Sequence, residues 1–134
     1  LSQIVFVTFK NVRICIPDDL TADAWEKILK KANVADYLKG TQIFVASHHG
    51  REDGFNENVF KHCKPEVIIL SDKDIIHKTQ EGQTQTYAGM VQGNGIILNG
   101  KTDKPRKVLT TRSDKHIWIR IEDNGARTYK TITE

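Results

Sequence analysis

Apolar residues in this chain come in short runs separated by turn residues. Residues 4–9 (IVFVTF) are β-branched and aromatic and read as a strand. Lys10-Asn11 is a two-residue connection in which Asn tolerates positive φ, so residues 12–16 return as the second strand of a hairpin, stopped by Pro17. Thr21 is a good N-cap, Asp23 faces the helix dipole, and Trp25, Ile28, Leu29 and Ala32 share one face of a helix over 22–32. Residues 34–38 add a helical turn closed by Gly40. Residues 43–46 form a short buried strand. Asn56 caps a helix over 57–63, with Phe55 and Phe60 as a hydrophobic staple. Pro65 ends that unit, and residues 67–70 (VIIL) are a second buried strand. Strand, loop, helix and strand over 42–70 make a βαβ crossover and imply parallel neighbours.

Beyond it, residues 71–83 are a polar loop holding Asp72, Lys73 and His77, and 84–92 suit a short helix. Gly93-Asn-Gly95 and Asn99-Gly100 flank the apolar Ile96-Ile-Leu98, and 101–107 is a basic loop. Strands over 107–111 and 116–122 are joined by Ser113-Asp114, and Asn124-Gly125 turns the second into a final strand over 126–132. The nearly continuous apolar runs at Ile43 and Val67 indicate a sheet buried on both faces. Helices would cover one face. The C-terminal strands would cover part of the other, and a second copy of the chain in a homodimer the rest.

The 134 residues suffice for one domain with a real core, taken here as residues 1–134. No apolar run approaches the roughly 20 residues of a membrane span, and no signal segment opens the chain. A net charge of +3 is too mild to argue for nucleic acid by itself. Cys15 and Cys63 make no disulfide framework, which favours a reducing, cytoplasmic setting. The chain opens on Leu1 three residues before a strand and has Met90 as its one methionine, as a piece of a longer protein would.

The stretch richest in chemistry is Ser47-His48-His49-Gly50, where a strand opens into a loop. Histidine is the commonest metal ligand, although one imidazole bonded to a loop carbonyl and one solvated would also satisfy this pattern. Asp19, just past the second strand, is either part of a capping turn or a carboxylate aimed at a metal; carboxylate and imidazole together suit zinc, manganese or iron. Arg51 and Lys73 are solvated cations or contacts for an anionic substrate. His77 follows a buried strand and could reach the same place. His62 and His116 read as structural. There is no glycine-rich phosphate loop and no Ser or Cys nucleophile signature.

Taken together, Ile14-Cys-Ile-Pro-Asp-Asp-Leu20, Trp25-Glu-Lys, Val45-Ala-Ser-His-His-Gly-Arg51, Val67-Ile-Ile-Leu-Ser-Asp-Lys73 and Val108-Leu-Thr-Thr-Arg-Ser-Asp114 resemble the C-terminal half of metallo-β-lactamase-fold hydrolases. The branch is that of the hydrolase domain of bacterial DNA-uptake (competence) proteins. The resemblance implies an α/β fold, half or slightly more of an αββα sandwich with a mixed sheet and flanking helices. It implies a metal-dependent hydrolase acting on a phosphodiester or related ester, with two divalent metal ions, zinc first and manganese or iron as alternatives, in the whole protein and none held tightly by this part alone. Asp19 matches the metal-bridging aspartate and His48 the last histidine ligand. Asp18 stands where the family usually has glycine. Asp18, His49, Arg51, Ser71, Lys73 and His77 would surround the ligands or face substrate. The family's His-x-His-x-Asp-His cluster is absent from the five histidines of this sequence and would belong to a missing N-terminal half, the chain's first partner. An anionic substrate, nucleic acid among the candidates, would be the second. The other class of reading is a metal-free binding or interaction module that keeps the fold without the chemistry.

Overall fold

Lys10 and Asn11 both take positive φ (48° and 64°), and the tight turn they make lays β1 (Val5–Phe9) antiparallel to β2 (Val12–Ile16). The computed structural model describes residues 2–76, 78–99 and 104–133. His77, Gly100 and residues 101–103 of the expected basic loop lie outside them. β3 (Thr41–Val45), β4 (Val67–Leu70) and β5 (Val108–Thr110) extend the sheet in the order β1-β2-β3-β4-β5, and every pair from β2 onward is parallel. The architecture is thus mixed α/β, as the crossover pattern predicts. Parallel strands place the chain segments that follow β2, β3 and β4 on one edge of the sheet.

The two faces have separate cores. Cys15, Phe44, Ile68, Leu70 and Val108 point to the helical side and pack with Trp25 of α1 (Ala22–Leu29), Leu38 of α2 (Val34–Leu38), Phe60, and Tyr87 of α3 (Gln83–Ala88). Alternate residues Val12, Ile43, Val67 and Leu109 point to the opposite side, where Ile96, Leu98 and Tyr129 meet them. Tyr129 belongs to the antiparallel pair β6 (His116–Ile121) and β7 (Arg127–Ile132), whose Ile117, Ile119 and Ile121 pack against this second core. The C-terminal strands therefore fold back over the sheet, as the doubly buried runs at Ile43 and Val67 require. Coverage stops short of the β1 edge: Val5, Val7, Phe9 and Ile16 are 45%, 45%, 50% and 39% exposed.

Local departures from the sequence expectation have identifiable causes. α1 ends at Leu29 instead of residue 32, because Lys31 N–H turns back to the Ile28 carbonyl in a tightened last turn, and Ala32 is exposed. Residues 57–63 do not form an α-helix; a 3₁₀ turn, Glu57–Lys61, follows the Asn56 cap, with the Phe55 and Phe60 rings stacked at 6.0 Å. The strand expected over 107–111 stops at Thr110, whose hydroxyl accepts from Ser113 N–H and starts a single helical turn, α4 (Thr111–Asp114). The expected helix over 84–92 is the shorter α3. Cys15 and Cys63 are free and buried, and burial raises the Cys63 thiol to about 12 and Cys15 further still. No helix among the described residues is long and apolar enough to cross a membrane.

Candidate functional site

Past β3 the chain enters an unusual turn. His48 (φ 48°, ψ 47°), His49 (φ 57°, ψ 24°) and Gly50 (φ 74°) are all left-handed. Such geometry costs an L-residue roughly 1–2 kcal/mol, so two consecutive histidines there mark strain that the surroundings must hold in place. Several contacts do so. His48 N–H donates to the Asp18 carbonyl at 3.0 Å, tying the ends of β2 and β3 together. Trp25 Nε1 donates to Ser47 Oγ at 2.7 Å inside the core. The Gln80 amide donates to the His49 carbonyl at 3.0 Å. Gly50 and Gly54 let neighbours close in: a Cβ on Gly50 would lie 2.7 Å from Leu70 Cγ, and one on Gly54 2.6 Å from the Ser47 carbonyl oxygen.

The turn sends the two imidazoles apart. His48 Nδ1 points at Asp53, 2.9 Å from Oδ1 but without the alignment of a hydrogen bond. His49 instead faces the end of β2. Its Nδ1 lies 2.8 Å from the Ser71 carbonyl and its Nε2 3.4 Å from Asp19 Oδ1. A carbonyl only accepts, so Nδ1 carries a hydrogen and donates it. In the neutral ring Nε2 then holds a lone pair, 3.4 Å from a carboxylate oxygen and half exposed to solvent. Two acceptors so placed can share a donor or a cation between them. An imidazole that donates one N–H to a backbone carbonyl and offers the other nitrogen beside a carboxylate has the arrangement of a metal ligand with its outer hydrogen bond made.

The expected ligands Asp19 and His48 thus sit at neighbouring strand ends on one edge, but the side chain beside Asp19 is that of His49. Ser71 contributes its carbonyl. Asp18 is left-handed (φ 55°), the conformation glycine adopts most readily, at the position where the resemblance implies glycine. Arg51 and Lys73 border, with His49, Ser71, Asp72 and Gln80, a cavity of about 130 Å³. The Asp72 carboxylate is committed inside the protein: Arg112 Nη1 pairs with it at 2.9 Å and Arg112 N–H donates to it at 3.1 Å. Sequence reasoning gave no role to Asp53, which faces His48, or to Gln80, which carries no motif. No group of three or more His, Cys, Asp or Glu side chains among the described residues is arranged to hold a metal ion. Asp19 and His49 supply two donors of the right chemistry, so they fit part of a metal site. No family model, curated protein or solved structure matches the chain.

Proposed function

We propose that this chain is part of a metal-dependent hydrolase of the metallo-β-lactamase type, contributing Asp19 and His49 to a divalent metal site and acting on a phosphodiester or related ester. The observation that carries the reading is the facing pair itself: a carboxylate and an imidazole lone pair 3.4 Å apart, with the ring fixed by the Ser71 carbonyl. The left-handed Asp18 and the helix–sheet–hairpin layering are in keeping with the αββα resemblance. A metal bound there would polarise the scissile group and activate a water. The chain's own residues do the rest. Asp19 holds negative charge at the end of β2. Ser71 fixes which nitrogen of His49 is free. Arg51 and Lys73 place positive charge where an anionic substrate oxygen would lie next to the site. The remaining ligands are those of the His-x-His-x-Asp-His cluster that the resemblance calls for and this sequence does not contain.

The second reading, a metal-free binding module, is favoured by one observation: the same pair, 3.4 Å apart and half exposed on both sides, also has the spacing of an ordinary surface histidine–carboxylate contact. Zinc titration followed by imidazole NMR separates them. The hydrolase reading expects weak, saturable zinc binding that perturbs His49 and is lost in Asp19→Asn and His49→Ala but kept in His48→Ala. If zinc leaves the His49 resonances unmoved while Asp19→Asn lowers thermal stability, the pair is structural. Submicromolar affinity would mean that further ligands lie within the chain.

A further inference from the structure

The β6–β7 hairpin has a second face. Ile117, Ile119 and Ile121 turn inward, so His116, Trp118 and Arg120 turn outward, and Trp118 is 61% exposed. The strand register sets Lys130 directly opposite Trp118 and Thr128 opposite Arg120. With Asn99 and Ile132 these residues line a shallow groove of about 500 Å³. Among the described residues Glu122 is the one carboxylate in its lining, and it contacts Arg120 through Nε at 2.7 Å. Lys130 has no ion-pair partner among the described residues.

We propose that this face binds single-stranded nucleic acid, with a base stacked on Trp118 and the flanking phosphates at Lys130 and Arg120. An exposed indole beside cations satisfies both halves of such a ligand at once, the flat apolar base and its charged backbone. An acidic peptide would use the cations and leave the indole in water; an apolar partner would cover the indole and strip water from the cations. Duplex bases are already stacked on one another, so the ring selects an unpaired strand. Residues two apart on a strand stand about 6.8 Å apart, so Trp118 and Arg120 can serve neighbouring parts of one nucleotide chain. Lys115 and His116, at the head of β6, line the same depression as Lys73 and Asp74, where Lys115 Nζ pairs with Asp74 at 2.9 Å, and Lys73 also borders the cavity beside His49. The binding surface stands whether or not a metal is held there.

Intrinsic fluorescence tests the proposal on the whole chain. Trp25 is 1% exposed, so quenching by an added strand reports on Trp118. Titration with an oligothymidylate of about a dozen nucleotides should give saturable quenching. Affinity, followed by anisotropy of a labelled strand, should fall about tenfold in Trp118→Ala and be largely kept in Trp118→Phe, as a stacking contribution requires. Two phosphate contacts give a slope of log affinity against log salt of about −1.4, which Lys130→Gln should roughly halve. Binding should be the same with and without added zinc, which keeps this result separate from the fate of the metal reading. No quenching at millimolar strand, unchanged affinity in Trp118→Ala, a requirement for added zinc, or equal displacement by polyglutamate would each overturn it.

Discussion

Arg127 holds both oxygens of Glu66 across 61 residues of sequence, Nε on Oε1 at 2.5 Å and Nη2 on Oε2 at 2.7 Å. The Tyr129 hydroxyl donates to the same carboxylate; burial first, then this bond and the charge of Glu66, raise the Tyr129 phenol well above its ordinary range against the opposing pull of Arg127. Glu66 directly precedes β4, so this carboxylate clips the C-terminal hairpin to the main sheet. Glu66→Ala should cost about 2 kcal/mol, because it leaves a charged fork and a phenol without their shared acceptor. Urea unfolding would show it. A loss below about 0.5 kcal/mol would mean that the packing of Ile117, Ile119 and Ile121 holds the hairpin without the clip.

Asp18 tests whether backbone strain is stored at the site. Asp18→Gly should raise stability by roughly 0.5–1 kcal/mol, since a left-handed residue is relieved at the expense of only an exposed 3.4 Å contact from Gln3 N–H. The backbone bond from His48 to the Asp18 carbonyl survives, so the histidine resonances should stay in place. A drop in stability would show that the Asp18 side chain, not its backbone, matters there.

Glu26 gives a pH dependence. Hydrogen bonds from Asn56 first, then Asn58, at 2.9 and 2.7 Å, hold its carboxyl below its ordinary 4.5. A lowered folded value means that this contribution is fully present above about pH 4.5 and is lost as pH falls through the folded value. Glu26→Gln should therefore flatten the melting temperature profile below pH 4.5 and leave the slope at neutral pH unchanged. Parallel curves for both proteins down to pH 3 would refute the linkage.

The uncovered β1 edge predicts self-association. Val5, Val7, Phe9 and Ile16 are exposed together, and β1 is an edge strand with no charge or proline within VFVTF. A second copy meeting this edge would bury the patch around a twofold axis. Sedimentation at micromolar concentration should show a dimer that Val7→Lys returns to monomer with little change in melting temperature. A sharp 15.2 kDa species for the parent chain would sink the idea.

The sheet was legible in the sequence because its strands are short, β-branched and bounded by turn residues, and Lys10-Asn11 and Asn124-Gly125 could hardly be anything but hairpins. The site was legible as a place but not as a geometry. That Asp19 and the histidine pair gather past β2 and β3 follows from the apolar runs that precede them. Which histidine meets Asp19 does not, because the resemblance matches His48 by position alone, while the directions of His48 and His49 are set by a left-handed turn that histidine seldom adopts. The 3₁₀ turn over Glu57–Lys61 escaped for a related reason: its cap and staple are also those of an α-helix, and only tertiary packing decides how tightly it winds. Gln80 holds the turn by a hydrogen bond from its side-chain amide to a backbone carbonyl, which leaves no trace in sequence spacing.

The parallel pairing of β2, β3 and β4 also has a kinetic meaning. Asp19, His49 and Ser71 each follow a different strand of this set, and no local hairpin joins any two of them. The bond from His49 to the Ser71 carbonyl closes 22 residues of chain, and the approach to Asp19 closes a longer loop still. Such contacts form only after the loop entropy of both crossovers has been overcome, late in folding. A partly folded chain would carry the same side chains without presenting them together, so the appearance of the pair reports that β2, β3 and β4 have docked in parallel.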